Sequence, residues 1–222
     1  NIMYHLHVTQ LKDLSHLSHI EMVQKDDYLN MDIHTIRNLE LLETLRLKER
    51  KFSLLWLLDK TKTAMGSRTL KSWLMNPLKD ETKINKRLDY IESLNNSFLQ
   101  REELMRDLYE VYDLERLTGK VICGSLNGRD LLQIKNSIKV IPDINRILKE
   151  LKFDITLNTH EELFKLLESS ISEDAPISIK EGGIIKSGYN AELDELKSIR
   201  SGGKDFISGI EAKLKEETGI NN

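Results

Sequence analysis

The stretch Asp80-Glu81-Thr82-Lys83-Ile84-Asn85-Lys86-Arg87-Leu88-Asp89-Tyr90-Ile91-Glu92-Ser93-Leu94 decides the fold class. Ile84, Leu88, Ile91 and Leu94 recur at i, i+3, i+4 spacing, and charged residues fill the positions between them. That period places the apolar side chains on one face of a helix. Asp80 stands where a helix needs an N-cap, because its carboxylate can accept from backbone N–H groups that have no partner within the first turn. Moving outward, the same grammar repeats. Asp32 caps an expected helix through Ile36, Leu39, Leu42 and Leu45. A helix from Thr63 to Met75 stops at Pro77, which restricts the residue before it. Further helices are expected over Glu102–Tyr112, Asp113–Ile122, Asn127–Val140 and Pro142–Leu151. Asn158 with Glu161 three residues on forms a capping-box variant that opens another.

Two places break the helical period. Tyr28-Leu29-Asn30-Met31 alternates briefly, as a short strand would. Over residues 175–188, Ile177 and Ile179 alternate, Gly182-Gly183 follow, and Ile184-Ile185 come next. That pattern predicts a small β-hairpin or an extended corner, with the glycines in a turn that needs positive φ. Asn190 then opens a long charged helix to about Thr218, with Gly219 as its C-cap. The expected fold is all-α, an irregular multi-helix bundle with a small β-hairpin and a long C-terminal helix. The division is residues 1–181 for the bundle and 182–222 for the β-corner and long helix.

Composition agrees with this class. The 222 residues are 39% hydrophobic and 31% charged, with only 3 Pro and 11 Gly, so long helices with solvated outer faces are easily built. The formal net charge of −3 argues against a free-standing nucleic-acid module, which is usually basic. Cys123 is the single cysteine, so no internal disulfide forms, and it is expected as a buried, inert thiol. No apolar run approaches the roughly 20 residues of a membrane span, and the first residues lack the basic start and apolar core of a signal peptide. The chain begins at Asn1 and ends on Ile220-Asn221-Asn222, and it is expected to be a piece of a longer protein.

The usual chemical constellations are missing. No Gly-x-x-x-x-Gly-Lys-Ser/Thr loop offers a phosphate cradle, and Gly182-Gly183 lacks the Lys and hydroxyl. His5, His7, His16 and His19 match no zinc spacing and are expected on a solvated face. His160-Glu161 has Phe164 where a metalloprotease helix needs its second His. Asp113, Glu115, Glu192, Asp194 and Glu195 are expected as helix-dipole or i, i+4 partners rather than acid–base groups. Arg46, Lys48, Arg50 and Lys51 could touch phosphate but read better as a solvated loop. No catalytic, cofactor-binding, metal-binding or DNA-binding residue is assigned.

A series of phrases, in order, resembles the MutS family of DNA mismatch-repair proteins. It runs from Thr9-Gln10-Leu11-Lys12-Asp13-Leu14 through Met31-Asp32, Thr35 and Arg37-Asn38-Leu39-Glu40-Leu41. Then come Ser53-Leu54-Leu55-Trp56-Leu57-Leu58-Asp59, Thr61, Thr63-Ala64-Met65-Gly66-Ser67-Arg68, Leu70, Trp73-Leu74, Pro77-Leu78, Ile84 and Arg87-Leu88-Asp89. Asp113-Leu114-Glu115-Arg116-Leu117, Arg129-Asp130-Leu131, Gly182-Gly183-Ile184-Ile185 and Gly188-Tyr189-Asn190 follow. Glu192-Leu193-Asp194-Glu195-Leu196, Glu211, Glu217 and Thr218-Gly219-Ile220 complete it.

The resemblance implies that residues 1–181 are the family's helical core and that 182–222 lead into the first lever helix. It also implies a noncatalytic structural and transmission role in a mismatch-repair ATPase, coupling the ATPase domain to the DNA clamp. The expected partners are the connector, clamp and ATPase parts of the same chain, mismatched DNA, a second subunit and a MutL-type repair factor, with no membrane. No cofactor is expected in these residues; ATP and magnesium belong to the ATPase domain. The implied location is cytoplasmic, at the nucleoid. A helix of about 29 residues would span roughly 43 Å, and Gly202-Gly203 would interrupt its stiffness. Arg37, Asp59, Arg68 and Arg116 sit inside apolar phrases, either as buried ion pairs between helices or as contacts to the ATPase. The rival reading is a helical protein–protein scaffold with no DNA role.

Overall fold

The computed structural model describes residues 27–200 and 202–203. Among them the chain is mostly helical and carries no sheet, only two isolated β-bridges. It divides into two compact units. The first comprises the described residues of Asn1–Leu126 together with Asn136–His160, and the second those of Asn127–Lys135 together with Glu161–Asn222.

In the first unit, helix α1 (Ile33–Asn38) starts on Asp32, whose carboxylate accepts from the Thr35 N–H at 2.6 Å. It ends well before Leu45, where the spacing had placed it. The Glu40 and Leu41 carbonyls accept instead from the N–H groups of Leu54 and Leu55 at 3.0 and 2.9 Å. Those donors belong to the first turn of α2 (Leu54–Leu58) and have no partner within that helix. Satisfying them ends α1, and Glu40 turns to a φ of 49°. Ser53 caps α2, its hydroxyl accepting from Trp56 N–H and donating to the Arg50 carbonyl.

Thr63 caps α3 (Ala64–Met75), which stops at Asn76 before Pro77. Asp80 caps α4 (Glu81–Asn96), accepting from Thr82 and Lys83. α5 (Phe98–Tyr109) follows after Ser97, and α6 (Leu114–Ile122) opens on Asp113. α7 (Gly128–Lys139), which belongs to the second unit as far as Lys135, begins with a reciprocal cap in which the Asn127 and Asp130 side chains each accept from the other's N–H. α8 (Ile141–Glu150) carries the clearest apolar stripe, Ile141, Ile144, Ile147, Leu148 and Leu151, all buried. Packing against α5, it forms the core of this unit. Each such side chain contributes about 1.5–3 kcal/mol on burial.

Tyr28 pairs with Leu78 in a single antiparallel bridge, so the expected strand shrinks to one residue. Asn158 does not cap the next helix; it accepts from His160 N–H, and His160 takes a φ of 45° before α9 (Glu161–Ser170) begins. Cys123 is exposed rather than buried, because it lies at the C-cap of α6 beyond the buried Leu117.

The second unit is built on Leu167, Ile171 and Ala175, packed by Leu131, Leu132, Ile134, Ile184 and Ile185. The hairpin expected over residues 175–188 is not there. Ile179–Glu181 form a 3-10 turn, and Ile185 bridges to Ile171, with Ser172 N–H on the Ile184 carbonyl and Lys186 N–H on that of Ser170, both at 2.8 Å. Burial decides this. Ile184 and Ile185 join the core, whereas Ile177 and Ile179 remain exposed. Gly182 and Gly183, both at φ 76°, make the turn. Residues 191–200 are helical and start on Asn190, which accepts from Leu193 N–H. Gly202 and Gly203 are also helical. The rest of the expected long helix, and His5, His7, His16 and His19, lie outside the described residues.

Candidate functional site

The polar residues singled out by sequence gather in the first unit, around two carboxylates at helix ends. Asp59 is the C-cap of α2. Its Oδ1 accepts from the Thr61 N–H at 3.2 Å and from the Thr61 hydroxyl at 2.6 Å. Its Oδ2 accepts from the Ser67 hydroxyl at 2.6 Å and from the Arg50 guanidinium. These donors, Ser67 and Thr61 foremost, hold the carboxyl at a pKa of about 2. Asp59 thus fastens the loop before α2 to the first turns of α3.

Arg68 follows Ser67 on α3 and reaches the start of α6. Its Nη1 and Nη2 donate to the two Asp113 oxygens at 2.9 and 2.7 Å. Nε and Nη2 both donate to Glu115 Oε2, at 2.9 and 2.5 Å. Asp113 also caps α6 by accepting from Arg116 N–H at 3.2 Å. Arg68 hydrogen bonds are the main cause that lowers the Asp113 pKa to about 2, and the same contacts raise that of Arg68. The Arg68 side chain is 49% exposed, so solvent screens the pair. Its importance is geometric: a planar fork fixes the orientation of two helix starts that are far apart in sequence.

Of the four residues marked in the sequence, Asp59 and Arg68 are ion-paired, though not to each other and not in a sealed interior. Arg37 and Arg116 are exposed and hold no salt bridge among the described residues. The guanidinium of Arg116 adds only its charge to the field at Asp113, while its backbone serves the cap. Thr61 and Ser67 stood in the quoted phrases without a role. The short Asp59-to-Thr61 spacing, typical of a carboxylate turned back on its own backbone, was the available signal. The basic run also disperses. Arg50 goes to Asp59, Lys51 lies 5.1 Å from the Phe52 ring centre, and Lys48 lines a cleft.

This chemistry suits a clamp. Carboxylates held ionised by cations and hydrogen-bond donors are poor proton shuttles near neutral pH. Among the described residues, no group of three or more His, Cys, Asp or Glu is placed to hold a metal ion, and no helix is long and apolar enough to cross a membrane.

The family model described as MutS domain III matches residues 34–217. The chain belongs to the MutS domain III family. Curated relatives agree over nearly its whole length. The DNA mismatch repair protein MutS of Staphylococcus epidermidis is 44% identical over 99% of this chain and 26% of its own length. That of Bacillus cytotoxicus is 48% identical over 96% of this chain and 24% of its own. That of Acetivibrio thermocellus is 43% identical over 100% and 26%. The chain therefore spans about a quarter of the relatives it matches. Within the family's segment, Asp59 ties the end of α2 to α3, and Arg68 ties α3 to α6.

Proposed function

We propose that this chain is a noncatalytic structural and transmission module of a mismatch-repair ATPase, coupling nucleotide state to grip on DNA. The observation that carries the reading is the Arg68 fork, which ties the first turns of α3 to the start of α6. Family membership and the printed names of the relatives support the repair context. Exposed apolar side chains such as Trp56, Leu57, Ile91 and Leu99 support contact with further protein. In this reading residues 1–181 are the core, and 182–222 are the corner and first lever helix that lead to a clamp domain. The connector, clamp and ATPase parts of one polypeptide, a second subunit, mismatched DNA and a MutL-type factor are its partners. ATP and magnesium act in the ATPase part, and the whole works in the cytoplasm at the nucleoid.

The test uses a full-length relative carrying this segment, with the arginine and aspartate equivalent to Arg68 and Asp113 replaced by Ala. Basal ATP hydrolysis should persist while its stimulation by mismatched duplex falls. Full stimulation in a variant whose secondary structure is intact would overturn the transmission role and leave a passive scaffold.

A further inference from the structure

A cleft of about 710 Å³ opens in the first unit between α1, α2, α3 and the loop joining α1 to α2. Its floor is apolar, with Ile36, Leu42 and the buried Leu55. Its rim is cationic. Arg50 and Arg68 border it but are already matched by Asp59, Asp113 and Glu115. Arg37, Lys48 and Lys71 also line it, and among the described residues they hold no ion pair. Glu43 is the single carboxylate in the lining, so three unmatched cations face one anion.

The loop that carries this rim is built rather than slack. Glu40 Oε1 accepts from Leu45 N–H at 2.7 Å, and Thr44 N–H donates to the Glu49 carbonyl at 2.9 Å. Glu40, Lys48 and Phe52 hold φ values of 49°, 52° and 73°, conformations that cost non-glycine residues energy and persist only where surroundings impose them. Lys48 is thus presented at the rim by a strained, well-tied backbone. Phe52, in the same loop, is 68% exposed, with its ring edge-on to Trp56 at 5.2 Å.

We infer that this cleft is a docking site for an acidic protein segment that presents a large apolar side chain between carboxylates. Charge complementarity selects the class. A neutral apolar ligand would leave three cations unmatched, and a bare phosphate chain would leave the Ile36–Leu42–Leu55 floor in water. An acidic segment with one buried apolar anchor satisfies both, the anchor supplying affinity and the carboxylates orientation.

The experiment uses the 222-residue chain and fluorescence anisotropy with two labelled acidic peptides of equal net charge. One carries a central Leu-Phe pair among glutamates; the other has Ser in place of that pair. A labelled DNA duplex is the third probe. The apolar-centred peptide should bind about tenfold or more tightly than its Ser counterpart. The combined variant Arg37→Glu, Lys48→Glu, Lys71→Glu should weaken it at least about tenfold, as three lost charge pairs imply, and Lys79→Glu should not. The milder Arg37→Gln, Lys48→Gln, Lys71→Gln variant, with its circular dichroism matched to the parent chain, should weaken it less but measurably. Equal binding of the two peptides would reduce the cleft to a simple anion site and overturn the proposal. So would a duplex that displaces the peptide and depends on the same three cations, or a Gln variant that binds as the parent does.

Discussion

Replacing Arg68 by Lys keeps the charge but removes the fork that meets Asp113 through two nitrogens and Glu115 through Nε and Nη2. The melting temperature should therefore fall for Arg68→Lys nearly as far as for Arg68→Ala. Asp113→Ala should cost more than Asp113→Asn, because Ala also removes the cap of α6, worth about 1 kcal/mol, whereas Asn retains it. The pH dependence follows from the direction of the shift. The folded-state pKa of Asp113 lies at about 2, below an unfolded value of about 3.9. Its contribution is therefore complete above about pH 4 and is lost as pH falls toward about 2. Melting curves of the chain and of Asp113→Asn should differ at pH 6 and converge over that interval; a difference unchanged at the acid end would contradict the account. The sequence marked Arg68 and Asp113 separately. It could not pair them, because they lie 45 positions apart and only tertiary packing brings the starts of α3 and α6 together.

At the level of the element, caps were the most legible feature. Asp32 and Asp80, expected as caps, each open a helix there, since capping needs only neighbours in sequence, whereas the cap expected at Asn158 does not form. The end of α1 and the missing hairpin were illegible for the opposite reason. Both are settled by distant partners, Leu54 and Leu55 in one case and the Leu167–Ile171–Ala175 core in the other. The stripe of α4 shows a further limit. Its period correctly named a helix, yet Leu88 and Ile91 are exposed, so period reports local structure and not what covers it. Gly128, in the first turn of α7, sets propensity against packing. Gly→Ala usually gains a helix up to about 1 kcal/mol. Here a Cβ would lie 2.7 Å from the Ala175 Cβ and 3.3 Å from the Pro176 carbonyl oxygen. Ala175 is buried and cannot retreat as a flexible side-chain end would. Gly128→Ala should lower stability by about 1–3 kcal/mol, the usual cost of overpacking. Denaturant titration measures it, and a stabilised variant would mean that the core yields.

For the molecule as a whole, the division into two units with separate apolar clusters has a thermodynamic consequence. Ile147 is fully buried in the first unit, and Leu167 is buried in the second. Truncating either to Ala removes buried methylene groups and leaves a cavity, at about 2–5 kcal/mol. Where each cluster is its own centre of stability, the damage stays local, as protection from hydrogen exchange reports residue by residue. Ile147→Ala should speed exchange in α5 and α8 and leave α9 protected. Leu167→Ala should do the reverse, exposing the Ser172 and Lys186 amides that bridge to Ile184 and Ser170. The buried Lys135 adds a control within the second unit. It is held between Glu168 at 3.0 Å and Glu173 at 2.5 Å, so Lys135→Met removes charge while keeping bulk. Its effect on exchange should follow that of Leu167→Ala rather than that of Ile147→Ala. Uniform loss of protection along the whole chain in all three variants would instead make the two clusters a single cooperative core.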